Sequence, residues 1–519
     1  MAPIRLLGYG GNHMIDLLVI VIYFIASLFL FSYGMNCYVM VGLFLRSFRK
    51  GQQANAAIEK DATNLWNDPE SIPSITTQIP LYNELNVAER VIRAAAAMDY
   101  PPGKHEVQVL DDSTDETRLK VDQVAEALRK EGKDVTVIRR TNRIGYKAGA
   151  LEEGTHQAKG DFLAVFDSDF VPEKDFLKRL VPYFLHDEEV GLVQARWGHI
   201  NKEYSVFTRT QSLGIDGHFI VEQSARSFSG LYMNFNGTAG IWRKQTVVDA
   251  GGWKHDTLTE DLDLSYRAQL AGWKATFVPD VVVPAEIPQT VSAFKSQQFR
   301  WAKGSIQTAI KLFPTLLRSK LSLFQKIQAY FHLTHYAIHP FMVLLAILGL
   351  PVILAAESRI TTGFFVGIGS LMSLATFAPS TLYWFSQKHA GIPWGKRLIG
   401  IPLLVFTGVG IAISNTRAVL EAVIGIESGF IRTPKSGDKP LKQYKVKMPI
   451  LPILELILSA YCWYSVAQFF PLNKWFVAPF LIIYAVGFGY IGLLGLIQET
   501  AIGRWVHRST KRKTATATA

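Results

Sequence analysis

The 519-residue chain is poor in cysteine and poor in charge. Its two cysteines, Cys37 and Cys462, both sit inside apolar runs. That excludes a disulfide framework and a zinc ribbon, and it argues against a compartment that demands oxidation. Charged residues make up 19% and hydrophobic residues 49%, whereas a soluble domain carries about a quarter charged residues. A single water-soluble globule is therefore excluded, as are collagen-like, disordered and small secreted classes, and part of the chain belongs in lipid. Acid is scarcer than base: 43 Asp and Glu against 54 Lys and Arg leave +11. A surplus of that sign suits nucleic acid, acidic lipid or an anionic substrate until its placement is known.

The long hydrophobic runs are not spread evenly. Ile15 to Leu45 contains one charge, Asp16, and is closed by Arg46, Arg49 and Lys50. A spanning helix needs about 20 apolar residues, so this run is an anchor. It is too long for a signal peptide and has no clear small-residue cleavage pattern. From Gly51 to about Lys326 the pattern changes to soluble α/β. Short β-rich runs (Ile75–Ile79, Val107–Leu110, Val135–Ile138, Phe162–Phe166, Gly191–Gln194) alternate with helical stretches (Glu84–Met98, Glu116–Lys130, Glu173–Leu185). Such alternation predicts a mostly parallel sheet covered by helices.

Beyond Gln328 the apolar character returns, with spans expected at Gln328–Ala355, Thr362–Phe385, Ile450–Phe470 and Phe476–Ile497. Leu398–Gly425 is ambiguous, because its second half carries Asn415, Arg417 and Glu421. Basic clusters lie at Arg46–Lys50, Arg318–Lys326, Lys388–Arg397, Arg432–Lys447 and Arg504–Lys513. If all are cytoplasmic, Leu398–Gly425 crosses an even number of times, and zero crossings makes it an amphipathic interfacial helix. The expectation is five spanning helices with the N-terminus outside and the C-terminus inside. The domains expected are an anchor over 1–50, a catalytic α/β domain over 51–327, a membrane region over 328–503, and a basic tail over 504–519. The positive charge then marks the cytoplasmic face and a lipid contact, with no nucleic acid needed.

Three acidic motifs fall in the α/β region. Val107–Leu110 ends in Asp111-Asp112, and Phe162–Phe166 ends in Asp167-Ser168-Asp169. In open α/β sheets ligands bind beyond the carboxyl ends of strands. Two carboxylates on alternate residues there can share one hard divalent cation, which commonly bridges to a diphosphate. Thr259-Glu260-Asp261 opens a helical stretch, Leu262–Leu270, and reads either as an acidic N-cap or as chemistry. Gln297-Gln298-Phe299-Arg300-Trp301 likewise has two readings. It suits an interfacial helix with a snorkelling Arg and anchoring Trp, or an Arg that meets phosphate beside a Trp that stacks on sugar.

Taken together and in order, these motifs resemble membrane-embedded family 2 glycosyltransferases, and Gln297-x-x-Arg300-Trp301 resembles the processive polysaccharide synthases among them. Asn142-Arg-Ile-Gly-Tyr-Lys147-Ala-Gly-Ala-Leu151, Val193-Gln-Ala-Arg196-Trp197 and Phe235-Asn-Gly-Thr-Ala-Gly-Ile-Trp242-Arg243 are similar to the cellulose-synthase-like makers of mannan or glucan backbones. The resemblance is strong over Ile79–Gly304 and loose in the membrane region. It implies a GT-A nucleotide-sugar domain joined to transmembrane and interfacial helices. Asp111 and Asp112 would lie by the nucleotide's base and ribose, and Lys147 by the donor diphosphate. Asp167 and Asp169 would hold Mg²⁺ or Mn²⁺. Asp261, with Glu260 beside it, would be the general base in an inverting displacement. Phe235, Asn236, Gly237 and Thr238 would hold the acceptor end, Trp301 would be its aromatic floor, and Gln297 and Arg300 would share that wall.

A gating-like loop is expected over 426–447. There Phe430-Ile-Arg432-Thr433-Pro-Lys435 departs from the family's Phe-x-Val-Thr-x-Lys, and Thr433 and Lys435 would close over the diphosphate. The implied donors are UDP-glucose first and GDP-mannose second, with a growing β-linked polysaccharide and a plasma (inner) membrane bilayer as the other partners. Tyr330, Tyr336, Trp384, Tyr461 and Trp463 are candidates for a sugar-stacking path, with ordinary interface belting as the other reading. A transferase acting on a lipid acceptor and a nucleotide-sensing transporter are the rival functions. His332, His335 and His339 share a helical face, and packing with hydrogen bonds is preferred there over a metal site.

Overall fold

The computed structural model describes residues 13–356, 362–429, 450–469 and 478–499. The predicted α/β region is built on seven strands: β1 Ile75–Leu81, β2 His105–Asp111, β3 Asp134–Ile138, β4 Phe162–Val165, β5 Val190–His199, β6 Gly240–Arg243 and β7 Lys274–Ala285. They form one sheet in the order β3-β2-β1-β4-β6-β5-β7. All pairings are parallel except those of β6, which runs antiparallel to both β4 and β5. The five strands read from the sequence are β1 to β5. Neither β6 nor β7 was expected, β6 because its four residues sit inside the Phe235–Arg243 motif.

The chain passes from β1 outward to β2 and β3, then returns to β4 on the other side of β1. A crevice opens at the carboxyl ends of the strands where the order reverses in this way. Tyr82, Asp112, Arg143 and Asp167 all follow the ends of these strands and line it. The helices expected over 84–98, 116–130 and 173–185 form as Ala88–Ala96, Thr117–Lys130 and Phe176–His186. Their apolar faces (Val91, Ile92, Val121, Val124, Leu177, Leu180) bury against the sheet.

The N-terminal anchor is longer than its apolar run, forming one helix from His13 to Asp61. Past Lys50 the chain is no longer a continuous apolar run, but Gln52, Gln53, Ala54, Ala56, Ala57, Glu59 and Lys60 are good helix formers, so the helix continues. Its last turns join the α/β region, where Asn55 Nδ2 donates to the Phe277 carbonyl at 3.1 Å and Glu59 pairs with Arg179 at 3.1 Å. The expected boundary at residue 50 therefore falls inside a continuous element.

Four described helical stretches are long and apolar enough to cross a bilayer: Met14–Asn67, Leu323–Ala355, Ile450–Phe469 and Ala478–Gln498. The other expected span forms the helix Thr362–His389, which packs along the N-terminal helix. In the ambiguous stretch, Trp394–Gly410 and Ala412–Ile424 are two helices meeting at a 46° bend. Both cysteines are free thiols.

One helix ties the two regions together. Val291–Arg318 carries the Gln297–Trp301 motif and is capped by Thr290, whose side chain accepts from Ala293 N. Lys295 on this helix pairs with Glu455 of Ile450–Phe469 at 2.7 Å, with side chains 8% and 0% exposed. Two turns on, the fully buried Lys303 pairs with Glu421 at 2.8 Å. Removing one partner of a buried pair strands a charge in low dielectric, at a cost of about 3–5 kcal/mol, whereas replacing both by apolar groups is often neutral. Lys295→Ala is thus expected to destabilise the detergent-solubilised protein by that amount, and Lys295→Met with Glu455→Leu to recover most of it. Thermal or denaturant unfolding measures both, and an unchanged Lys295→Ala midpoint would contradict this account of the junction.

Candidate active site

The cleft at the strand ends encloses about 1310 Å³, counting the open solvent at its mouth. Asp112, Lys147, Asp167, Asp169, Asn236, Gly237, Glu260, Asp261, Gln297, Arg300 and Trp301 all line it, so motifs far apart in sequence meet in one place. Asp111, Phe235 and Thr238 are not among the lining residues, and Thr433 and Lys435 lie outside the described residues.

At the β2 end, two consecutive aspartates meet two consecutive arginines that follow β3. Asp111, its side chain 0% exposed, pairs with Arg139 at 2.9 Å and accepts from Ser113 N at 3.0 Å. Asp112 takes both prongs of Arg140, whose other donations go to the carbonyls of Ile144 (2.8 Å) and Tyr146 (2.9 Å). Asp111 therefore braces the strand end, while Asp112 faces the cleft already charge-paired. Arg140 also sets the Asn142–Lys147 loop, in which Gly145 and Tyr146 are both left-handed, at φ 73° and 50°. Helix Tyr146–Gln157 starts there and presents Lys147 in its first turn.

Lys147 is the hub. Its Nζ donates to Asp167 Oδ1 at 2.5 Å and to the Gly237 carbonyl at 2.8 Å, with Glu260 3.9 Å away. Burial pulls its pKa down, but Asp167 and Glu260 outweigh that and hold it above the ordinary lysine value. Asp167 N donates to Thr238 Oγ1 at 2.9 Å, so Thr238 fixes β4's end against the acceptor loop without entering the cleft. Phe235 is fully buried against Trp242 and Trp253. Only Asn236 and Gly237 of that loop reach the cavity. Asn236 is held by Gln223 Nε2, which donates to its Oδ1 at 2.7 Å, and by His218 at 2.9 Å.

Thr259 makes no side-chain cap bond to the helix Glu260–Leu270 that it precedes, so the capping reading of Thr259-Glu260-Asp261 fails on geometry. Asp261 Oδ1 instead accepts from Leu262 N at 2.8 Å. Burial, then the neighbouring Glu260 carboxylate, raise the Asp261 pKa to about 7 against the opposing pull of Lys147. Gly237 sits at φ +79°, and a Cβ there would stand 2.9 Å from Asp261 Oδ2. Only glycine permits this conformation and this approach together.

The helix Val291–Arg318 forms the opposite wall. Burial lowers the Arg300 pKa, and the carboxylates facing it (Glu260, Asp167, Asp261, Asp169) push the other way. Trp301 stands 6.4 Å from Trp197, ring to ring, a partner that the β5 motif contained but that sequence reasoning gave no role. Gly304 lets the helix approach, since a Cβ there would lie 2.7 Å from Thr259 N. Of the expected sugar-stacking residues, Tyr336 reaches this wall by donating to Gln298 Oε1 at 3.2 Å. Trp384 instead lies beneath Arg397, and Tyr461 donates to the Ile347 carbonyl. His332 bonds Tyr266 and Asn234, and His339 bonds Asn415.

Among the described residues no three His, Cys, Asp or Glu side chains form a metal cage. Asp167 and Asp169 offer two carboxylates to one cleft. That donor set suits a hard divalent cation that takes its remaining oxygens from ligand and water.

Residues 73–304 match the family described as glycosyltransferase like family 2. A probable glucomannan 4-beta-mannosyltransferase of Oryza sativa subsp. japonica is 33% identical over 496 residues, covering 88% of this chain and 90% of that protein. A glucomannan 4-beta-mannosyltransferase of Arabidopsis thaliana is 40% identical over 260 residues, 49% of each chain. A mannosyltransferase of Pyrobaculum calidifontis, solved with GDP-Man and Mn²⁺, is 21% identical and covers 75% of this chain and 99% of its own, with a TM-score of 0.48. A likeness that runs through both the cleft motifs and 90% of the rice relative's length makes the chain a member of glycosyltransferase family 2, in its membrane-embedded, cellulose-synthase-like branch.

Proposed function

We propose that the chain is a processive, inverting synthase that extends a β-linked mannan or glucomannan backbone from GDP-mannose and passes it across the plasma membrane. The names of the aligned relatives favour this donor over UDP-glucose, which the motifs alone ranked first. The observation that carries the mechanism is the meeting of Lys147, Gly237 and Asp261 at one point, where the donor lysine, the acceptor loop and a carboxylate of raised pKa touch.

On this reading an acceptor hydroxyl held over Gly237 and against Trp301 gives its proton to Asp261 as its oxygen bonds to the donor's anomeric carbon. The nucleoside diphosphate leaves from the opposite face, so an α-linked donor yields a β-linked product. A base titrating near neutrality is well matched to this transfer. Lys147 and Arg300 meet the developing diphosphate charge with donors already oriented. Asp167 and Asp169 would hold Mg²⁺ or Mn²⁺, which neutralises the same charge when bound. Thr433 and Lys435 belong to the proposal as residues that close over the diphosphate.

Three outcomes are expected. Purified protein given labelled GDP-mannose and Mg²⁺ or Mn²⁺ makes a polymer cut by β-mannanase. A single-sugar lipid product, or incorporation from UDP-glucose alone, would overturn the proposal. Because only ionised Asp261 accepts a proton, kcat/KM falls about tenfold per unit as pH drops below about 7 and levels off above it; Asp261→Asn removes both the activity and the step in the profile. Gly237→Ala must strain the backbone and displace Asp261, a misplacement worth on the order of 100-fold in rate. Initial rates with a matched unfolding midpoint check the last expectation.

A further inference from the structure

We propose that Arg143 reads the donor's nucleobase and selects guanine through its O6/N7 edge. The inference rests on the GDP-mannose reading above and names the residue that enforces it. Sheet order gives the direction of the donor. The diphosphate end is marked by Lys147 and Asp167, at the end of β4. A nucleotide lying across the strand ends then runs over β1 toward β2 and β3, where Tyr82, Asp112, Arg143 and Tyr146 line the same cleft.

The two arginines at that end differ in kind. Arg140 is spent, with its donors on both Asp112 oxygens and on two backbone carbonyls. Asp112 is thereby neutralised and cannot also balance Arg143. The Arg143 guanidinium lies 3.2 Å from the centroid of the Tyr82 ring and 5.0 Å from that of Tyr146. Among the described residues it makes no ion pair, and its buried Nε has no acceptor. Its face is therefore fixed by aromatic contact, and among the described residues no hydrogen bond takes up its in-plane donors. Arg140, holding the Ile144 and Tyr146 carbonyls, keeps the loop that carries it in place.

A planar fork of donors is matched by two adjacent acceptors. Guanine presents such a pair in O6 and N7, the commonest arginine contact to a base. Uracil does not, because its O4 is flanked by a C–H on one side and an N–H on the other. A stacked arginine at this position thus favours guanine by the second hydrogen bond.

The test is competitive inhibition of the full-length enzyme by GDP, 7-deaza-GDP (which lacks the N7 acceptor) and UDP, for wild type, Arg143→Gln and Arg143→Lys. Wild type is expected to bind GDP ~10-fold tighter than 7-deaza-GDP, and Arg143→Gln to bind the two alike. Arg143→Lys keeps the charge without the fork, so it too is expected to bind GDP and 7-deaza-GDP alike, with UDP binding unchanged from wild type. Equal loss of all three ligands in Arg143→Gln would overturn the proposal and place Arg143 on the diphosphate, leaving GDP-mannose as donor intact. Tighter binding of UDP than GDP by the wild type would overturn the GDP-mannose reading itself.

Discussion

Four carboxylates, Asp167, Asp169, Glu260 and Asp261, share one cleft, and holding them there is the constraint that organises this protein. Like charges brought together out of water repel strongly and raise one another's pKa. Two cations oppose this repulsion from opposite walls: Lys147 from the first turn of a helix in the sheet domain, and Arg300 from the helix that leads to the membrane. The compensation is uneven. Lys147 contacts Asp167 directly at 2.5 Å but stands 3.9 Å from Glu260, and Asp261 is left with the pKa of about 7. Of Asp167, Glu260 and Asp261, the one that the cations serve least is the one the proposed chemistry needs as a base.

That balance depends on keeping the two walls in register, and the helix Val291–Arg318 does so by being pinned along its length. Its N-terminal Val291 N–H donates to Gln498 Oε1 at 2.8 Å, Lys295 is paired with Glu455, and Lys303 with Glu421. Each partner comes from a different helix of the membrane region. Lys303 also donates to Ser428, one residue before Gly429, where an added Cβ would lie 3.5 Å from Tyr146 Oη. The described chain therefore leaves the membrane region beside the Asn142–Lys147 loop, a few residues ahead of Thr433 and Lys435 in sequence.

The sequence made the catalytic cleft legible where chemistry needs a residue type in a fixed order. Strand-ending aspartates and the Gln297–Trp301 motif predicted β2, β4 and the second wall, and the structure brings them together. Partnership was hidden. Asp111 and Asp112 look alike in sequence, and only β3 pairing beside β2 delivers Arg139 and Arg140 to them, which buries one aspartate and leaves the other at the cleft. Phe235 and Thr238 were expected at the acceptor end because the family resemblance assigns the whole loop from Phe235 to Thr238 to it, but a loop that turns through φ +79° at Gly237 and +56° at Ala239 shows only its middle to the cavity. Strand β6 was missed because four residues carry no period. The helix end at Asp61 was missed because hydrophobicity reports where lipid stops, not where a helix does.

The two sides of the cleft rest on different parts of the molecule. The proposed donor side is made by the sheet: Tyr82, Asp112, Asp167 and Asp169 are strand-end residues, and Lys147 reaches Asp167 from a helix packed on that sheet. The proposed acceptor side is made by elements that touch the membrane helices. Asn236 is oriented by His218 and Gln223, which belong to a single π-helical segment, Gly217–Gln223. Such segments are rare and gather at functional sites. Its first residue lies so close to Tyr383, on the helix Thr362–His389, that a Cβ would stand 2.6 Å from that ring. Asn236 is thus linked to a helix of the membrane region through one hydrogen bond to His218 and the packing of Gly217. On the proposed reading, a nucleotide exchanges on the side built by the soluble sheet, while the growing chain is held on the side that already faces its way out.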